Sequence, residues 1–155
     1  MKLQRIAVLA LLITGIVVTA SCGTDNVGDS GPRNRRPKKD VVHCFDTFYA
    51  AKKHMLENGV ESRSRHQWLH IVGQRPANQA KFGEHDLHCC DNLIYLPIDM
   101  HRAVSGHYMR KFEWTNGKRV HQWLTDKDFD EQYSYGMRVL RDLGVDPAAH
   151  GLRNE

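Results

Sequence analysis

Two short apolar runs, Trp68 to Val72 and Leu93 to Leu96, carry β-branched or aromatic members and are separated by polar sequence containing Gly73, Pro76, Asn78 and Gly83. Runs of this length and composition predict two strands joined by a long loop. Pro97 breaks the second run, and Met100, Val104, Tyr108 and Phe112 then recur at four-residue steps. That stripe predicts a helix beginning near Ile98 with one buried face. The expected order is strand, long loop, strand, helix, an α+β arrangement.

Flanking helices complete the domain. From Val42 to Leu56 the apolar residues mostly recur at three- and four-residue steps, and Asn58-Gly59 follows as a stop. Lys118 to Leu124, after the Asn116-Gly117 turn, is expected to be a short strand or an extended arm. Thr125 and Asp128 form a capping-box-like start for a helix carrying Phe129, Tyr133, Met137 and Leu140 and ending at Gly144. A chain of 155 residues that is 41% hydrophobic suits one small domain, placed here at 41–150.

The N-terminus reads differently. Lys2 and Arg5 precede the apolar run Ile6 to Val18, and the small residues Thr19, Ala20 and Ser21 follow, the layout of a secretory signal over residues 1–21. Cys22 directly after those small residues resembles the lipobox of bacterial lipoproteins, with Thr19 where leucine is usual. The resemblance implies export, lipid attachment at Cys22 and a membrane-anchored place in the cell envelope. Residues 22–40 hold Gly, Asn, Ser, Pro and the basic cluster Arg33, Arg35, Arg36, Lys38 and Lys39, with almost nothing to bury, and so predict a flexible tether.

Loss of Lys2 and Arg5 with the signal reduces the 22 basic residues to 20 against 18 acidic ones. Such near-neutrality argues against wrapping nucleic acid by charge alone and leaves only local basic patches. The cysteines beyond Cys22 are Cys44, Cys89 and Cys90, in a compartment that permits disulfides. Cys44 is expected to pair with Cys89 or Cys90, because a bridge between neighbours would be strained.

The chain has ten histidines, and their positions matter more than their number. His70 lies near the end of the first predicted strand, Asn92 opens the second, and His101 falls in the first turn of the helix after it. The stretch Trp68 to Gln74, then Asn78, Phe82-Gly83, His88, Asp91 to Ile94, Leu96-Pro97, His101 and Tyr108, continuing through Trp123-Leu124 and Gln132 to Gly136, resembles the HNH/endonuclease VII-type nuclease domains of bacterial polymorphic toxins. The likeness covers about residues 64 to 145.

It implies a small ββα-metal core and hydrolysis of DNA or RNA phosphodiesters. By resemblance, His70 is the general base and Asn92 orients the loop or that histidine. His101 holds a divalent cation, Mg²⁺ or Zn²⁺, with His88 a further ligand or an outer partner. An immunity protein is the implied protein partner. Phosphodiester hydrolysis needs an activated water, charge neutralisation on the non-bridging oxygens and a stabilised leaving oxygen, which one histidine and one metal can supply together.

The chain departs from these toxin domains at two places. They commonly read Trp-His-His-Ile-Val-Glu, whereas Leu69 stands at the first histidine, a metal ligand, and Gly73 at the glutamate. The alternative is therefore a catalytically weakened domain of the same fold, acting as an envelope or nucleic-acid binding module. His107 is turned roughly 120° from His101 on a helix and cannot easily share its ion. His54, His66, His85 and His121 are expected to be surface or partly buried residues.

Because acyl chains supply a membrane hold that the polar tether lacks, Cys22→Ser should release the protein into the soluble fraction. Mass spectrometry of the wild type should find lipid on Cys22, and its absence would contradict the lipobox reading.

Overall fold

The computed structural model describes residues 42–150, so the signal segment, Cys22 and the tether lie outside the described residues. Among the described residues the fold is α+β, with one two-stranded antiparallel sheet and five α-helices. Strands β1 (His66–His70) and β2 (Leu93–Pro97) pair with His66 opposite Pro97 and His70 opposite Leu93. The chain enters β1 through Arg65, which turns with φ 57°.

Helix α1 (Phe48–Glu57) starts later than its apolar periodicity predicts. Thr47 is extended and its side chain accepts from the Ala50 N–H at 3.2 Å, which caps the helix there. The segment ahead of it is held instead by a disulfide from Cys44 to Cys89, which resolves the open choice of partner. A bridge across 45 residues stabilises such a domain by about 2–4 kcal/mol, chiefly by restricting the unfolded chain.

The connection between the strands corrects the sequence expectation of a long loop, since most of it is helix α2 (Pro76–Leu87). Pro76 sits at the helix start, where its missing N–H costs nothing. Gly83, at φ 79° and ψ 158°, breaks the helical geometry partway, so no continuous apolar stripe marks the segment. A short 3-10 turn, Cys90–Asn92, then leads into β2.

Helix α3 (Ile98–Met109) follows Pro97 as expected but ends before Phe112. Lys118 to Leu124, expected as a strand or arm, contributes only an isolated bridge between Lys111 and Arg119 before forming helix α4 (Val120–Leu124). Gln122 Oε1 accepts from the Arg119 N–H at 2.9 Å and satisfies a donor at that helix start. Helix α5 (Phe129–Asp142) is capped by Asp128 and Glu131, which bond each other's N–H groups at 2.8 and 3.1 Å. Its capping box thus begins at Asp128 rather than Thr125, which closes α4.

The main core joins Ile71, Ile94, Leu96, Val104, Val120 and Leu140, drawn from the sheet and helices α3, α4 and α5. A smaller cluster of Val72, Leu87 and Phe129 ties α2 to α5. No helix among the described residues is long and apolar enough to cross a membrane.

Helix α5 can approach the end of β1 only because residue 136 is glycine. A Cβ there would lie 2.5 Å from Ile71 Cγ2 and 2.9 Å from the Tyr108 hydroxyl. Gly136→Ala should therefore lower stability by about 1–3 kcal/mol through overpacking, despite a helix-propensity gain of about 1 kcal/mol. A denaturant titration showing unchanged or raised stability would contradict this packing.

Candidate functional site

The sheet ladder ends at His70, but a side chain continues it. Asn92 is fully buried. Its Oδ1 accepts from the Val72 N–H at 2.8 Å, and its Nδ2 donates to the carbonyls of Val72 (3.1 Å) and Leu87 (2.9 Å). Its backbone carbonyl also accepts from the Ile71 N–H at 3.0 Å. One amide thus fixes the exit from β1 and the end of α2, and with them the position of His70.

His70 stands at the end of the sheet remote from Pro97. Its ring lies 4.9 Å between centroids from Phe48 of α1 and 5.5 Å from His88, just past α2. The Gln74 amide nitrogen lies 2.9 Å from Nδ1 and also touches Nε2. A neutral imidazole has one acceptor nitrogen, so only one of these contacts is a hydrogen bond. Burial, with His88 adding to it, pushes the His70 pKa down to about 3. The ring is therefore neutral at physiological pH and, in this resting environment, a weak base.

His88 is 4% exposed, and its Nδ1 is buried without a hydrogen-bond partner. Its pKa too is lowered by burial. An orphaned imidazole nitrogen beside a second neutral imidazole has the donor chemistry of a partial cation site. Among the described residues, no group of three or more His, Cys, Asp or Glu side chains is placed to hold a metal. Two imidazoles alone are fewer ligands than a closed structural zinc site uses.

Helix α3 starts at the Pro97 end and runs back along the sheet, so that Tyr108 donates to the Ile71 carbonyl at 3.4 Å. The later turns of α3 consequently reach the His70 end. Ser105, Tyr108 and Met109 line a cavity of about 210 Å³ that His70 also borders. His101 lies in the first turn, half-buried, and is not among the residues lining it. The structure brings His70, Asn92 and His88 to one place, whereas it sets His101 nearer the other end of the sheet.

Three cavity residues carry chemistry that the sequence reading did not assign. Arg75 supplies a fixed positive charge. His121, read from sequence as a surface or partly buried residue, lines the cavity, with Nδ1 3.1 Å from the Tyr108 carbonyl. Its pKa is lowered by burial and by Arg75 and Arg119, although the Tyr108 carbonyl opposes this. Gln132 exchanges two hydrogen bonds with Asn78, at 2.9 and 3.1 Å, and both are buried. His107 is engaged elsewhere, 2.7 Å from the Tyr135 hydroxyl.

Leu69, at the position of a metal-binding histidine in the resembling domains, packs against the main core and borders the same cavity.

Asn92→Ala would strand the Val72 amide and two buried carbonyls, at about 1–3 kcal/mol for each group left unsatisfied. The expected loss is therefore about 3 kcal/mol or more, read by denaturant unfolding. A loss below about 1 kcal/mol would show that the amide does not hold the β1 exit. Comparison of the chain with protein-family models, with curated proteins and with solved structures finds no match.

Proposed function

We propose that this domain is a phosphodiesterase acting on nucleic acid, with the His70 cavity as its substrate site and His70 as the acceptor of a proton from the attacking water. The observation that carries the reading is one cavity bordered by a half-buried imidazole, His70, and a fixed cation, Arg75. A phosphodiester needs both a proton acceptor and charge neutralisation. In the resting state His70 is a weak base. A bound phosphate would supply nearby negative charge and raise its pKa toward the working range.

The ββα-metal reading belongs to this proposal. It is supported by the order β1, β2, α3 with His70 at the strand end, Asn92 before β2 and His101 in the first turn of α3. A divalent cation, Mg²⁺ or Zn²⁺, would be held by His88, beside His70, with water, and would neutralise charge on the non-bridging oxygens together with Arg75; His101, the ligand that the resemblance implies, stands apart from this cavity. The remaining roles fall to the chain itself: Asn92 positions the His70 backbone, Gln74 orients the ring, and Arg75 draws the phosphate in. Lipid anchoring at Cys22 and inhibition by an immunity protein complete the toxin-like reading.

Leu69 in the ligand position favours a second reading, a binding module that has kept the scaffold with little hydrolysis. One assay separates the two. The full chain is incubated with plasmid and with RNA in Mg²⁺, Mn²⁺ or Zn²⁺, with and without chelator. Metal-dependent cleavage that falls about 10²–10⁴-fold in His70→Ala, with the fold retained, is the expected result. Nucleic-acid binding without cleavage would select the second reading, and equal cleavage by the variant would remove His70 from the mechanism.

A further inference from the structure

The segment from Met109 to His121 forms a strap beside the cavity. It is closed by the Val120 N–H bonding the Arg110 carbonyl at 2.9 Å and by the Lys111–Arg119 bridge. Met109 and His121, at its two ends, line the cavity itself. Between them the strap carries Arg110, Lys111, Lys118 and Arg119 against the single acid Glu113. Lys118 is engaged by Asp126 at 3.4 Å. Arg110, Lys111 and Arg119 are exposed and, among the described residues, have no ion-pair partner.

The same strap presents an aromatic face. Trp114 is 48% exposed, a large apolar surface left open to solvent. Its indole stacks on Phe112 at 5.3 Å and 8° between planes, and Trp123 meets it edge-on at 5.0 Å. These neighbours, with Tyr135 at 6.0 Å, hold the ring, while about half of the residue stays open to solvent. An exposed, rigid indole flanked by unpaired guanidinium and ammonium groups suits an unpaired base between phosphates. A duplex keeps its bases stacked on each other and offers no such face.

We infer that the 109–121 strap is a binding track for single-stranded nucleic acid, in which Trp114 stacks a base and Arg110, Lys111 and Arg119 hold the flanking phosphates. The inference rests on the proposed nucleic-acid function and narrows its substrate class. Cations and a tryptophan would also suit an anionic membrane surface. The polynucleotide is favoured because both ends of the track, Met109 and His121, border a cavity that also carries His70 and Arg75, which a flat lipid surface would not occupy.

The test measures binding of the full chain to a short labelled single strand, to the matching duplex and to phosphatidylglycerol vesicles, all in chelator so that no cleavage intervenes. The single strand should bind more tightly than the duplex and quench tryptophan emission. Trp114→Ala should weaken binding by about five- to a hundredfold, while Trp114→Phe retains most of it. Arg110→Gln with Arg119→Gln should flatten the salt dependence by about 1.4 in slope. If Trp114→Ala does not fold, the arginine pair and its salt slope decide.

Unchanged binding in the arginine pair and in folded Trp114→Ala, or Trp114-dependent binding to vesicles alone, overturns the inference. Because binding is read without metal, Trp114-dependent binding with no cleavage under any metal would sink the enzyme reading alone. Cleavage insensitive to Trp114 and both arginines would sink the track alone.

Discussion

A strand that leaves its sheet must find partners for its next backbone groups, and buried groups cannot borrow them from water. Here the next groups are those of Ile71 and Val72, which are 3% and 1% exposed and so lie beyond any solvent rescue. Asn92 supplies the partners from both its backbone and its side chain. The third bond of its side chain, to the Leu87 carbonyl, ties the last turn of α2 to the same point. That amide joins β1, α2 and β2 at one point.

The chemistry of the site follows from that anchor. With the exit of β1 fixed, His70 is pressed between Phe48 and His88 on one side and opens on the cavity on the other. The Cys44–Cys89 disulfide matters here because it joins the segment preceding α1 to the residue next to His88. It therefore holds Phe48 over the histidine pair. Removal of the ring from water is what keeps it neutral, and a neutral imidazole is the form that accepts a proton or a cation. The close fit of α5 at Gly136 supports the same point from behind.

The legibility of the sequence was uneven for physical reasons. Both strands, α3 and α5 showed in their apolar periods, because each buries one face against a shared core. His70 and Asn92 stood out through their order along the chain. Local sequence misled elsewhere, and one tetrapeptide shows why. His-Gln-Trp-Leu occurs twice, at 66–69 within strand β1 and at 121–124 within helix α4. The first copy is extended because β2 lies alongside it; the second is helical because Gln122 caps Arg119 and, among the described residues, no strand pairs with it. Helix α2 was hidden by Gly83 and its polar composition. Arg75 reaches the cavity from the connection before α2 and His121 from helix α4, and no spacing in the sequence announces that meeting.

The central claim is that burial at the end of β1 keeps His70 neutral and available. Histidine-selective NMR titration of the full chain reports this directly, with His70 assigned by comparison with His70→Gln. The His70 resonances should remain those of an unprotonated ring as the pH is lowered well below 6.5, toward a midpoint of about 3. Its folded pKa lies below the unfolded value, so stability should fall as pH drops from about 6.5 toward that midpoint, and less so in the variant. A His70 midpoint near 6.5, as for a solvated imidazole, would contradict the account.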